Sequence, residues 1–308
     1  GIVPCLLAFL PSWSLGRFLA VRIAMLGRKA KRIPRMDFAG GVPDTARTLV
    51  AVPTLILSEE GIAASLAQLE THYLANPLAN CCFAVLGDFK DGPEEWRDGE
   101  RELLQKAKEQ VDALNARYAN GGAPIFYFLH RRRELSRFDG VYMGRERKRG
   151  ALCDLVELLM AGDADPFALI SAPLPQDIHY CLTLDADTLL PPGALAKCIG
   201  AIAHPLNRPV SDQNGVVRLG HGVIAPRMRQ TLSSAAKTPF ARLMSGESGV
   251  DLYASVASEF YQDVFGTGNF GGKGIFDVAA FRAALLNWIP ENTVLSHDLL
   301  EGCFLRAG

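Results

Sequence analysis

The chain has 308 residues and 49% apolar side chains, enough for one large α/β domain or two small ones with a sizeable core. Its net charge is −1 but unevenly spread: residues 1–36 hold Arg17, Arg22, Arg28, Lys29, Lys31, Arg32 and Arg35 and no acid, so the remainder is acidic. That balance argues against a nucleic-acid binder. The seven cysteines form no C-x-x-C pair and most sit in apolar runs, which suits buried, reduced thiols of a cytosolic compartment rather than a zinc site.

Residues 1–27 are apolar but broken by Pro11, Arg17 and Arg22. A spanning helix needs roughly 20 apolar residues, so this is no complete span. It reads as the tail of one or as an interfacial helix. The "RKAKRIPR" that follows suits the cytoplasmic flank of a membrane segment. A solvated basic linker is the plain alternative. The segment from Pro34 to Pro43 is the best candidate linker. We therefore divide the chain into a basic, membrane-proximal segment, 1–43, and a second domain, 44–308. The chain starts at Gly1 rather than Met and stops inside a predicted helix, so a longer protein is expected.

Residues 48–57 are a continuous β-branched and apolar run, the pattern of a strand covered on both faces. A helix is predicted over 60–76, with Ile62, Leu66, Leu69 and Tyr73 at helical spacing. Strands follow at 81–89 and 124–133, separated by a charged amphipathic helix over 97–121. A helix over 150–162 and a strand over 179–187 complete a β-α-β-α-β-α-β order. This predicts an α/β fold with a mostly parallel sheet flanked by helices. Ligands of such sheets sit at the carboxyl ends of the strands, where Asp88, Asp185 and Asp187 fall. Further on, 216–228 suggests a strand, and 254–265 and 278–286 suggest helices around a glycine-dense stretch, 266–276.

In "TLDADTLLP" a buried strand delivers two carboxylates, Asp185 and Asp187, to one place. Like charges that close resist ionisation. A divalent cation, Mg²⁺ or Mn²⁺, removes the problem, since it takes one or two carboxylates plus phosphate oxygens. The plainer reading is a solvated turn with one acid capping the next helix. "GRERKRGAL" puts Arg145, Arg147, Lys148 and Arg149 at a helix start, where cations oppose the helix dipole. A solvated face would explain that, and a bound anion explains it better. "GTGNFG" matches G-x-G-x-x-G, but a helical pattern precedes it and an extended one follows, the reverse of a dinucleotide fold. In "SHDLLEG", Ser296 is the predicted N-cap, and Asp298 and Glu301 suit the first turns of a helix. The functional reading makes Asp298 a general base.

Taken together, "TLVAVPTLI", "GDFKD", "GRERKRGAL", "TLDADTLLP", "AHPLNRP", "FARLMSGESGVD", "YQDVFGTGNFGGKGIFDV" and "SHDLLEGCFLRAG" resemble a GT-A-fold glycosyltransferase of the inverting, processive type. More narrowly, they resemble the glycosyltransferase domain of bacterial cyclic β-1,2-glucan synthases. The resemblance runs from about residue 47 to the end. It implies a UDP-glucose donor, a β-glucan acceptor, a Mg²⁺ or Mn²⁺ cofactor and an inner-membrane location with the site on the cytoplasmic side. It implies that Asp185 and Asp187 hold metal and diphosphate, that Asp88 contacts the donor nucleotide, that Lys148 and Arg149 contact the diphosphate, and that Asp298 is the base. The related enzymes carry a Q-x-x-R-W motif beyond this point, and none occurs within these residues. Two other readings compete. One is a non-catalytic fragment that binds nucleotide-sugar or glucan. The other is a phosphatase of the haloacid-dehalogenase type, whose strand-D-x-D-x-T pattern "LTLDADTLL" also matches, although that motif usually ends the first strand of its domain.

Overall fold

The computed structural model describes residues 2–38, 40–118, 122–229, 231–244, 260–286, 288–291, 293–294 and 297–308. It divides into two compact units, one of residues 1–33, 226–269 and 308, the other of residues 34–225 and 270–307. In chain order the elements are α1 (Ile2–Ala24), β1 (Thr48–Ile56), α2 (Glu59–Ala75), β2 (Cys81–Phe89), α3 (Glu100–Tyr118) and β3 (Phe126–Arg131). Next come β4 (Glu134–Ser136), β5 (Val141–Met143), α4 (Arg147–Ala161), β6 (Phe167–Ile170), β7 (Tyr180–Thr183) and α5 (Ala194–Ile202). Short strands β8 (Val210–Ser211), β9 (Val217–Leu219) and β10 (Val223–Ile224) precede the short helices α6 (Leu232–Ala236), α7 (Pro239–Met244) and α8 (Phe260–Phe265). The chain closes with β11 (Gly274–Asp277), α9 (Val278–Leu285) and α10 (Asp298–Phe304).

The first unit contains α1, α6, α7 and α8. The apolar N-terminal stretch is one helix that continues through Pro11. Its Leu7, Phe9, Trp13 and Phe18 are exposed. Among the described residues no helix is long and apolar enough to cross a membrane. In the same unit the backbone N–H of Lys31 donates to the buried Asp263 carboxylate. Of the helix expected over 254–265, the described part is α8; residues 254–259 lie outside the described set.

The second unit is built on a seven-stranded sheet in the order β10-β11-β7-β1-β2-β3-β6. Its centre, β7-β1-β2-β3, is parallel, as the sequence predicts. Both flanks are antiparallel: β6 on β3, and β11 and β10 beyond β7. Successive side chains of a strand point to opposite faces. Leu49 and Ala51 of β1 join Ala84, Leu86 and Leu129 in a buried cluster with Leu152, Leu155 and Val156 of α4 and Phe281 and Leu285 of α9. The alternate residues meet α2 and α3, where Tyr73 packs edge-on against Phe83 and Phe126. With both faces covered, the strands need apolar residues throughout, which explains the unbroken runs in β1 and β2. Cys81, Cys82, Cys153, Cys181 and Cys198 are buried free thiols, while Cys303 is exposed.

The strand order reverses between β1 and β7. β2 and β3 build outward on one side of β1, and the chain then crosses to pair β7 on the other. Pairing of β1 with β7 stops at Ala51–Thr183, although β1 runs on to Ile56. Ala51 O accepts from Leu184 N, so Pro53, two residues on, turns its ring nitrogen to that same side. Proline has no N–H to offer a ladder. The two strands therefore part at their carboxyl ends, the place where open α/β sheets bind ligands.

One buried cation fastens the neighbouring strand ends. Arg131, at the end of β3, has a side chain 1% exposed. Its Nε and Nη2 donate to the two oxygens of Asp88 at 2.8 and 2.6 Å. Nη1 donates to Asp154 of α4 and to the Arg145 carbonyl, and Nη2 also to the Arg147 carbonyl. All five guanidinium N–H groups thus have an acceptor. Gly144 leaves the room, since a Cβ there would lie 2.7 Å from Arg131 Nη2 and 2.8 Å from Asp88. Replacing Arg131 by Met would leave the part-buried Asp88 without its cation and the buried Asp154 with Arg145 alone, and removing one partner of a buried pair costs about 3–5 kcal/mol. Denaturant unfolding should show a loss of that size, and a loss below about 1 kcal/mol would contradict the clamp.

Candidate functional site

Asp185 and Asp187 follow the end of β7 at the parted edge of the sheet. The N–H of Thr188 donates to the Asp185 carbonyl at 2.9 Å, closing a turn around Ala186 and Asp187. The two carboxylates have different surroundings. Asp185 is one-third exposed and takes Lys148 Nζ on one oxygen and Lys273 Nζ on the other, each at 2.5 Å. Partial burial acts to raise its pKa, but the hydrogen bonds from Lys148 and then Lys273 outweigh that and hold the carboxyl below its ordinary range. Asp187 is exposed and has no hydrogen bond or ion pair to another described residue.

Lys148 is presented by an unusual start to α4. Glu146 and Arg147 both take left-handed backbone, at φ 53° and 50°, a strained choice for residues with a Cβ. Arg131 grips the carbonyls of Arg145 and Arg147 on either side of Glu146. The helix then starts with Lys148 directed to Asp185 and to the Gly272 carbonyl, 2.7 Å away. The other cations of this stretch bind the protein's own acids. Arg145 pairs with Asp154 and Glu291, and Arg147 with Asp91. Arg149 is buried, bonded to Glu146 and to the Ile289 carbonyl. The structure thus brings Lys148 to Asp185 but not Arg149. Asp88 sits at the end of β2 with both oxygens on Arg131 and its side chain 16% exposed.

Asp298 opens α10 and reaches the same loop. A Cβ on Gly272 would lie 2.7 Å from either Asp298 oxygen. Gly272 has φ +73°, so glycine is required there for both space and backbone. Residues 271–274 thus contact both groups: Lys273 and, through Lys148, the Gly272 carbonyl reach Asp185, and Gly272 packs against Asp298. This loop connects α8 to β11, with helix before and strand after, as the pattern around "GTGNFG" predicts. Ser296, the predicted N-cap, lies outside the described residues; the residue ahead of the helix is His297. Behind Asp298, Glu301 is 2% exposed. Burial, and then the negative charge of Asp298, push its carboxyl up to about 7.

Sequence reasoning missed Lys273, Glu301 and Arg131. Lys273 had a signal, a lone cation among glycines, but nothing local ties it to Asp185. Glu301 reads as a first-turn acid, and only the fold buries it.

No group of three or more His, Cys, Asp or Glu side chains suited to a metal ion occurs among the described residues. A cage built from protein alone is therefore absent there. A free, exposed carboxylate beside an ion-paired one instead suits a hard cation that shares its coordination with phosphate oxygens and water. The residues present fit Mg²⁺ or Mn²⁺ in that form, with Asp187 the open ligand.

The buried Glu301 makes stability depend on pH. The folded state holds this proton more tightly than the unfolded chain, whose carboxyl titrates near 4.5. The group's contribution is complete below that pH and is lost as pH rises through about 7. Glu301→Gln removes the titration. The stability of that variant relative to wild type should therefore rise by about 3 kcal/mol between pH 4 and pH 8. Paired denaturant titrations at the two pH values check this, and a constant difference would contradict it.

No family model matches the chain. It is 40% identical over 308 residues, 99% of its length, to the cyclic beta-(1,2)-glucan synthase NdvB of Rhizobium meliloti (strain 1021). It spans 11% of that protein. The chain is thus similar, nearly end to end, to one segment of a cyclic beta-(1,2)-glucan synthase, the resemblance its motifs carry.

Proposed function

We propose that this chain is the donor-binding and catalytic part of a glycosyltransferase that moves glucose from UDP-glucose to a growing β-1,2-glucan with inversion. One observation carries the proposal: the Asp185–Lys148 pair and Asp298 converge on Gly272, Lys148 through its carbonyl and Asp298 against its α-carbon. A diphosphate leaving group and a proton acceptor must flank a single sugar carbon in such a reaction, and this arrangement supports both. The similarity to a glucan synthase supports the sugar class.

Lys148 holds the diphosphate as a point charge. Asp185 orients Lys148, and Asp187, with Asp185, would hold the divalent cation. The bound cation neutralises charge that builds on the departing diphosphate. Asp88 keeps lone pairs that Arg131 leaves free, and these accept from the donor nucleotide. Asp298 accepts the proton of the acceptor's 2-hydroxyl. That oxygen forms a bond to the anomeric carbon, and the bond from this carbon to the diphosphate breaks on the opposite side. UDP leaves with the electron pair, and an α-linked donor gives a β-linked product. A positioned base of this kind contributes about 10²–10⁴-fold. Glu301, with its pKa near 7, keeps a second full negative charge away from Asp298 at neutral pH and below. The basic stretch through Arg35 supports a setting at an inner-membrane surface with the site on the cytoplasmic side.

Calorimetric titration of UDP-glucose into the chain tests the donor site. Binding is expected with Mn²⁺ and should fall sharply with EDTA or in Asp187→Ala; equal binding in all three conditions would contradict the metal reading. In the longer enzyme, Asp298→Asn should keep donor binding and lower glucose transfer by at least about 10²-fold. Near-normal transfer would remove Asp298 from the base role.

A further inference from the structure

We propose that Lys273 is a second diphosphate-binding cation, held on Asp185 until the nucleoside diphosphate arrives. The inference deepens the donor-site reading above and rests on it.

Two kinds of cation surround the strand ends. Arg131 and Arg133 are buried and bonded to the protein's own acids and carbonyls. Arg133 takes both oxygens of Glu100 and the carbonyls of Lys90 and Glu95. The protein's own groups take all five N–H donors of Arg131 and four of Arg133, and their role is structural. Lys148 and Lys273 differ on every count. Their side chains are 33% and 28% exposed, and both converge on one carboxylate. A single carboxylate is thus shared by two ammonium groups at the parted edge of β1 and β7. Partly exposed ion pairs contribute little to stability, about 0–1 kcal/mol. Stability alone therefore gives no reason to place a second lysine there.

The backbone around Lys273 points the same way. Apart from Asp185, its Nζ has among the described residues only the Gly271 carbonyl, at 3.4 Å, a long contact. An ammonium has three N–H donors, so capacity remains for phosphate oxygens. Gly271, Gly272 and Gly274 flank it, and small residues let backbone approach a ligand closely. The same loop carries Gly272, against which Asp298 packs. An anion that draws Lys273 away from Asp185 would free a carboxylate oxygen for the cation held with Asp187. The charges then balance for a sugar nucleotide: two lysines and a divalent cation meet its doubly charged diphosphate and two aspartates.

Binding of UDP and of uridine to wild type, Lys273→Met and Lys273→Arg, in Mn²⁺, tests this. Calorimetry serves for UDP and ligand-observed NMR for the weaker uridine. Lys273→Met should weaken UDP by about 10- to 100-fold, the scale of one charge-assisted hydrogen bond, and leave uridine unchanged. Lys273→Arg, which keeps the charge, should retain most of the UDP affinity. UDP affinity in Lys273→Met within twofold of wild type overturns the inference and leaves the donor site standing. An equal loss of UDP and uridine also overturns it, because it marks a structural role. If wild type binds neither, the donor-site reading fails and the inference with it.

Discussion

The site depends on a guanidinium that never meets solvent. Arg131 satisfies five acceptors at once: both oxygens of Asp88 on β2, Asp154 on α4, and two carbonyls of the turn between them. A buried charge is tolerable only when each of its hydrogen bonds is made. The geometry around it is therefore rigid. It holds two residues in left-handed backbone, which no local preference would do. That backbone sets the first turn of α4, and the first turn of α4 sends Lys148 to Asp185. Structure at one strand end thus becomes chemistry at another.

The second constraint is a lost pairing. β1 outlasts its partner β7, and Pro53 stands where a ladder hydrogen bond would continue. The sheet opens there, at the reversal of strand order, and the D-x-D turn hangs over the gap. Beyond it the antiparallel strand β11 returns the glycine loop to the same place. Cations that fasten the scaffold are buried among acceptors of the protein itself, whereas the lysines of the candidate site are partly exposed and share one carboxylate. That contrast separates architecture from function more clearly than residue type does, since all are basic.

Much of the parallel centre was legible in the sequence, because strands buried on both faces need continuous apolar runs such as 48–56 and 81–89. The antiparallel flanks were not. β6 and β11 are four residues long and β10 is two, too short to show a period. Among site residues, the paired aspartates and Lys148 stood out by local pattern. Arg149 shares that pattern, yet the helical turn carries it inward to Glu146 and the Ile289 carbonyl. Asp88 was visible as a strand-end acid, but its Arg131 partner is 43 residues away. Lys273 meets Asp185 from about twice as far along the chain, and no spacing rule reaches that far.

The central claim is that the end of β7 is a nucleoside-diphosphate site in which a cation sits on Asp187. A crystal structure of the chain with UDP and Mn²⁺ tests it most directly, because manganese can be located by its anomalous scattering. The account predicts an anomalous peak at Asp187, with diphosphate oxygens bonded to the ion and to Lys148 Nζ. Manganese on another carboxylate, or UDP bound away from the parted edge of β1 and β7, would contradict it.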